Sequence, residues 1–440
     1  MTHNATVKDN WTKRWTFILA ATGSAVGLGN IWKFPYITGE YGGGAFVLIY
    51  LACILLVGVP VMIAEVMLGR STRANPVDAM LILTERENAP KLWSIVGIGG
   101  VIGGLLILMF YSVVAGWALD YSWQSLTAQY DGLPAPAIEA NFDDVAGSFA
   151  RQWGWQSLFV LLTGGVIAAG VTGGIGRAVE ILMPLLIVFL LILLGYSWAT
   201  GDFITSLKFM FTPDFSKLTT EAVLVALGHA FFTLSLGMGA IMAYGAYMPG
   251  EHSIGKTVIT IGFLDTAIAL IAGMAIFPLV FANNLEPSSG PGLMFVSLPI
   301  AFAHMPGGMV FGSIFFILVS IAALSSSISL IEPGVAWLER HGIHRKVGTT
   351  GAALIGWLGG IGCIYSSDFF NSLDHITANY ILPLGGLLIA LFAGFVMSRD
   401  HVKEGVRFDT DTFFSLWYFA LRYIAPLGIL IVFLHSVGLI

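Results

Sequence analysis

Charge is scarce in this 440-residue chain. Asp, Glu, Lys and Arg make up 10% of it, against about 25% in an ordinary soluble domain. That excludes a soluble globular protein, a disordered chain and a nucleic-acid binder. Cysteine is nearly absent: Cys53 and Cys363 both lie in apolar runs. No C-x-x-C spacing occurs, so no thiolate metal centre is indicated, and both read as small buried hydrophobes. The formal net charge of −6 is too small to point to a partner. No H-E-x-x-H or G-x-S-x-G motif is present and the histidines are scattered, which leaves an intramembrane enzyme without a recognisable centre.

Apolar residues are abundant: 56% of the chain is hydrophobic and the mean hydropathy is +0.84. A membrane helix needs roughly 20 apolar residues. Eleven such segments lie near 15–38, 43–68, 93–125, 155–173, 178–199, 221–248, 255–283, 306–338, 348–366, 373–397 and 412–438. At about 23 residues each they use ~250 residues, which leaves short loops and no large soluble domain. The third and eighth are long enough to tilt or protrude. The longer connections, 126–154 and 284–305, are rich in Pro, Gly, Asn and acidic residues. Polar Met1–Arg14 leads straight into the first segment with no small-residue cleavage site after a short apolar core. It reads as the lead-in to a first membrane helix, not as a cleaved signal.

The cations set an orientation. With the N-terminus inside, only Lys33, Arg151, Lys208, Lys217 and Arg422 of the 20 Lys and Arg fall away from the cytoplasmic side. The positive-inside rule therefore predicts a cytoplasmic N-terminus and, after eleven spans, an outside C-terminus. In a bacterium this is the inner (plasma) membrane.

Glycine punctuates two segments in the same way. Segment one carries Gly23-Ser24-Ala25-Val26-Gly27-Leu28-Gly29-Asn30, and segment six carries Thr233-Leu234-Ser235-Leu236-Gly237-Met238-Gly239. Each opens a block of five segments. Glycine clusters weaken a helix, and open backbone at membrane depth survives only where it is buried in protein or lines a cavity. Paired interruptions at matching positions of two halves point to the binding site of an inverted-repeat transporter. The predicted fold is all-α: one polytopic membrane domain over 1–440, with a 5+5 inverted repeat broken at helices one and six. The repeats span about 11–200 and 218–398, with an extra helix at about 412–438. Asp265, in segment seven, is a mid-membrane carboxylate, which is costly and usually functional.

The residues around the breaks carry a resemblance. Gly23–Pro35 reads GSAVGLGNIWKFP, Gly42–Phe46 reads GGGAF, Phe231–Ala240 reads FFTLSLGMGA, and Ser325-Ser326-Ser327-Ile328 follows Ala322. Together they resemble the neurotransmitter:sodium symporter family in its bacterial amino-acid branch, from about Trp11 to the end of segment ten. Many members of that family have twelve helices; eleven are read here. The resemblance implies the fold of the bacterial leucine transporter and sodium-coupled symport of an amino acid by alternating access. An amino-acid sensor or channel on the same fold is the alternative.

It also implies two sodium sites, built from hard oxygen ligands. Ala25, Asn30, Thr233 and Asp265 would form the first, and Gly23, Val26, Ala322, Ser325 and Ser326 the second. The substrate carboxylate would meet the Leu28 and Gly29 amides and the Tyr111 hydroxyl. Its amine would meet carbonyls of Phe232 and Thr233 and the Ser235 hydroxyl. It would also lie against Ala25. Ile107, Tyr111, Phe232, Ser235, Met238, Ser326 and Leu330 would line the side-chain pocket, which is mostly apolar and favours a neutral hydrophobic or aromatic amino acid. Gly27 stands where the monoamine branch has an Asp for the amine, so the substrate here brings its own carboxylate.

Tyr50, His229 and Asp265 fall at or near the chloride-site positions of eukaryotic members. The fixed charge of Asp265 is expected to replace chloride, and His229 leaves a proton open as a secondary participant. Lys33 and Asp374 resemble an outer, water-mediated ion-pair gate above a lid of Tyr111 and Phe232. Lys8 and Trp11 resemble the cytoplasmic latch. Arg340 stands where its acidic partner is expected, with Glu339 as a substitute. Glu65 is expected to bond the opened backbone of segment six. Glu332 has no role from sequence. The partners implied are an amino acid and the lipid bilayer.

Overall fold

The computed structural model describes Trp11, residues 14–250, 252–287, Gly290 and 292–436. These residues form helices, and no strand occurs among them. All eleven apolar segments are helical. Among the described residues, eight helices are long and apolar enough to cross a membrane: Gly44–Thr72, Lys91–Leu126, Val171–Thr200, Ile254–Ala282, Gly308–Arg340, Arg345–Tyr365, Ser367–Val396 and Asp411–His435. Segments one and six are divided by their breaks. Segment four, Phe149–Ala168, starts earlier than its hydropathy predicts, because Ser148 caps it through the Arg151 amide. Arg151, Gln152 and Gln156 dilute its apolar character.

The long segment-three and segment-eight helices pack along each other at the centre. Segments four and nine lie against segment three, and segment five lies against seven and eight. The two interrupted helices sit inside this frame. Residues 17–31 of segment one are buried throughout, as are 233–248 of segment six. A helix whose whole circumference is apolar and small belongs in a protein interior, and here that interior surrounds the breaks.

Five connections carry short helices that hydropathy alone passes over: Pro76–Arg86, Ala135–Gly147, Phe203–Phe211, Leu298–His304 and Arg399–Val406. Asn75, Asp202 and Ser398 cap three of them by accepting backbone N–H bonds, as short polar side chains do at helix starts. They close the two ends of the bundle, called below the Trp11 end and the Lys33 end.

Candidate functional site

Segment one runs as a helix over Arg14–Ala25, opens at Val26–Gly27, and resumes through a π turn at Gly29–Lys33 into Phe34–Glu40. Segment six runs over Thr220–Thr233, opens through Leu234–Gly239, and resumes at Ala240–Tyr247. Ser235, Gly237 and Gly239 hold positive φ angles of 55°, 77° and 75°. At Gly237 a side chain is excluded twice over, since a Cβ would lie 2.3 Å from the Leu382 carbonyl oxygen. The breaks face each other, and the Ser235 hydroxyl donates to the Ser24 carbonyl at 2.8 Å.

Glu65, wholly buried in segment two, accepts the Gly237 N–H at 2.7 Å. This is the role expected from sequence. Leaving such a donor unpaired costs about 1–3 kcal/mol. Glu65→Leu is therefore expected to lower the melting temperature of the purified protein by several degrees and to depress transport. Glu65→Gln keeps an acceptor oxygen and is expected to do neither strongly. Equal effects of the two variants in thermal denaturation would remove the hydrogen bond as the cause.

Two oxygen-rich clusters flank the opening of segment one. In the first, Asn30 Nδ2 donates to the Asp265 carboxylate at 2.8 Å and to the Asp265 carbonyl at 3.1 Å. The Thr233 hydroxyl donates to the same carboxylate at 3.0 and 3.3 Å. Asn30 Oδ1 accepts the Gly27 N–H at 3.1 Å, and Ala25 ends the helix beside them. In the second cluster, Ser326 Oγ stands 3.2 Å from each of the carbonyls of Gly23, Ser24 and Val26. One hydroxyl proton cannot satisfy three acceptors at once. Three carbonyl dipoles aimed at one point form a place for positive charge. Ser325 donates to the Ala322 carbonyl in its own helix at 3.0 Å. Ser24 was not singled out from sequence. Its carbonyl takes both Ser235 and Ser326, and no side-chain pattern announces a carbonyl.

Between the clusters the Leu28 N–H points to the Tyr111 hydroxyl at 3.4 Å. A Cβ on Gly27 would lie 2.3 Å from Ser326 Oγ and 3.0 Å from the Tyr111 oxygen. Gly29 is packed on the Phe232 ring, 3.2 Å from where its Cβ would stand. Ile107, Tyr111, Met238 and Leu330 are all buried. The arrangement sets amide and hydroxyl donors beside buried apolar side chains.

Above Phe232 opens a vestibule of about 740 Å³ lined by Lys33, Tyr36, Glu40, His229, Asp374 and others. Lys33 Nζ lies 3.7 Å from the Asp374 carboxylate and 5.0 Å from the centre of the Phe232 ring. The pair expected to form the outer gate thus stands within ion-pair distance, and the flexible lysine stem places its ammonium near both the carboxylate and the ring face.

The Tyr50 and His229 rings pack against each other with centres 5.3 Å apart and planes tilted by 35°. The Tyr50 hydroxyl and both His229 nitrogens find no hydrogen-bond partner among the described residues. Asp265 is engaged by Asn30 and Thr233 instead.

At the Trp11 end, Lys8 lies outside the described residues. Trp11 is buried against Phe17, Tyr244 and Tyr247, and its indole N–H donates to the Val171 carbonyl. Glu339, the substitute partner expected for Lys8, pairs with Arg345 at 3.2 Å. Arg345 also holds Glu332 at 2.5 Å, and Tyr247 donates to Glu332 at 2.7 Å. Arg340 pairs with Asp78 at 3.1 Å. Arg345 stands just after the turn that follows segment eight and Asp78 comes from the connection after segment two, and spacing along the chain does not say which acidic or basic group each will meet.

Residues 8–134 and 143–439 match the profile of the sodium:neurotransmitter symporter family. The chain belongs to that family. Uncharacterized sodium-dependent transporters of Bacillus subtilis (YhdH) and Haemophilus influenzae are 35% and 34% identical to it. The alignments cover 90% of both chains in the first case, and 92% of this chain and 93% of the relative in the second. The crystal structure of MhsT in complex with L-phenylalanine superposes with a TM-score of 0.91 at 41% identity, covering 98% of this chain and 100% of that one. The symporter is thus a sodium-dependent transporter, not an enzyme, and it has the bacterial leucine-transporter fold that the resemblance implied.

Proposed function

We propose that this symporter couples inward movement of sodium to uptake of a neutral hydrophobic or aromatic amino acid by alternating access. The observation that carries the reading is the pair of oxygen clusters on either side of the Gly27–Leu28 opening. Ala25, Asn30, Thr233 and Asp265 take the first sodium ion. Gly23, Val26, Ala322, Ser325 and Ser326 take the second, joined by the Ser24 carbonyl. Both sets offer only oxygen, as sodium requires.

The substrate carboxylate binds the Leu28 and Gly29 amides and Tyr111, where an opened helix presents N–H groups to an anion. Its amine meets the Phe232 and Thr233 carbonyls and Ser235. The apolar wall of Ile107, Met238 and Leu330 then selects an uncharged side chain, and flexible Met238 admits several sizes. L-Phenylalanine in the MhsT complex supports this class. The Lys33 end faces outward, so Lys33, Asp374 and Phe232 close above the bound substrate. Asp265 supplies the negative charge that chloride supplies elsewhere in the family.

Two sodium ions moving down 100 mV release about 2.3 kcal/mol each, and a tenfold gradient adds about 1.4 for each. Together these sustain ~10⁵-fold accumulation of a zwitterion at tight coupling.

The test is uptake by purified protein in liposomes, with labelled amino acids and an imposed sodium gradient. Concentrative uptake of a hydrophobic amino acid is expected, lost in choline and kept without chloride. Saturable binding without accumulation would make the protein a sensor. Binding of amines or osmolytes alone would overturn the substrate assignment.

A further inference from the structure

A pocket of about 240 Å³ at the Trp11 end lies apart from both ion clusters and the vestibule. Arg70, Arg73, Arg86 and Arg407 line it, and among the described residues Glu404 also stands on its wall. His401 also faces it but is engaged with Glu87 at 2.5 Å. A cavity of this size has room for about eight waters at ~30 Å³ each, enough for a phosphate group.

Arg70 is the unusual member. It is 8% exposed. Its two terminal nitrogens donate to the His252 carbonyl at 2.5 Å and the Gly405 carbonyl at 2.8 Å. Carbonyls solvate a guanidinium without neutralising it, and among the described residues no carboxylate forms an ion pair with Arg70. Buried charges are ordinarily paired.

Arg86 and Arg407 are exposed and form no ion pair among the described residues either. Arg73 and Arg407 each cap a helix end in left-handed backbone, with φ of 52° and 53°. Arg73 donates to the Ala246 and Met248 carbonyls at the end of segment six, so its charge is engaged there.

We infer that this pocket binds a phosphate-bearing anion, held by the guanidinium groups of Arg70, Arg86 and Arg407. Arginine suits phosphate because its planar fork bonds two oxygens at once. Arg70 keeps donors free for this, since only two of its five N–H groups are committed to carbonyls. The same chemistry serves the phosphodiester of an anionic phospholipid and a free phosphate compound. An occupant would tie segment two to the connection after segment six, through Gly250, and to the helix Arg399–Val406.

The test measures the melting temperature of the purified full chain against inorganic phosphate, at fixed sodium and ionic strength with gluconate as the balancing anion. A parallel arm uses phosphatidylglycerol or phosphatidylcholine vesicles in phosphate-free buffer. A saturable rise with phosphate is expected. The double variant Arg86→Gln/Arg407→Gln, whose residues are exposed, should raise the half-saturating concentration tenfold or more. Lys346→Gln, an exposed cation outside the pocket, should not change it. Arg70→Lys keeps the charge but loses the fork, and is expected to weaken binding as well. Stabilisation by phosphatidylglycerol and not phosphatidylcholine, lost in the double variant, identifies a lipid headgroup as the source. A phosphate response without a lipid response identifies a free compound. No saturable shift with either probe, or an equal shift in the double variant, overturns the inference.

Discussion

Asp265→Asn is expected to make transport depend on chloride. In the parent, uptake should be indifferent to replacing chloride by gluconate. In the variant, the apparent sodium affinity should fall by about 100-fold in gluconate and recover largely when chloride is restored. The reasoning begins with the surroundings of the carboxylate. Asp265 is fully buried, and its partners Asn30 and Thr233 are neutral. No Lys, Arg or His forms an ion pair with it among the described residues.

An ionised carboxylate at mid-membrane costs roughly 2.5–3.5 kcal/mol. It is held there most economically by a cation that binds beside it. At 4 Å and an effective dielectric of 20, opposite unit charges attract by about 4 kcal/mol. Relaxation and the retained amide dipole return part of that, which leaves the two decades stated. Asparagine preserves shape and the bond to Thr233 while removing the charge, so the loss is electrostatic. Chloride can restore it only if it comes near the same place, where the tilted rings of Tyr50 and His229 meet and their polar atoms find no hydrogen-bond partner among the described residues. Sodium titrations of uptake in both anions decide the matter. Normal transport by the Asn variant without chloride would falsify the charge-replacement reading.

This residue also marks how far the sequence carries. A carboxylate inside an apolar run is conspicuous because the membrane makes it expensive. The two breaks are equally visible, since Gly27, Gly237 and Gly239 interrupt runs that otherwise propagate as helix. These features arise from local physics and need no knowledge of the fold.

The Ser24 carbonyl is a different case. Every residue has one, and only the approach of Ser235 and Ser326 from other helices gives it work. Glu332 was visible as a buried charge, yet its partner Arg345 lies across the turn after segment eight. The short helices Pro76–Arg86 and Arg399–Val406 read as connections because their 11 and 8 residues fall short of a membrane span. The arginines of the phosphate pocket follow the positive-inside pattern individually. Their convergence is a property of the packed chain.

Gly27 is where sequence and structure bear on the same choice of substrate, and its replacement should have the largest effect. Gly27→Ala is expected to lower amino-acid uptake at least 100-fold, and Gly27→Asp to abolish amino-acid binding. The added methyl would stand 2.3 Å from Ser326 Oγ, 3.1 Å from Ser326 Cβ and 3.0 Å from the Tyr111 hydroxyl. Ser326 can turn its oxygen away, but that removes the donor shared by the Gly23, Ser24 and Val26 carbonyls. A buried acceptor left unpaired costs about 1–3 kcal/mol. If Tyr111 gives way instead, the group facing the Leu28 N–H is displaced, and a carboxylate loses its second donor.

Either path reaches about 3 kcal/mol, roughly two decades in affinity. The aspartate adds a like charge beside the substrate carboxylate in a dry site, where such repulsion is strong. The two variants separate size from charge. Equilibrium binding of labelled phenylalanine reads both, and binding of an amine without a carboxylate serves as the counter-probe. Gly27→Asp should retain or gain the amine while losing the amino acid. Undiminished amino-acid binding in Gly27→Asp would place the substrate carboxylate elsewhere, and the opening at Gly27–Leu28 would then serve the ions alone.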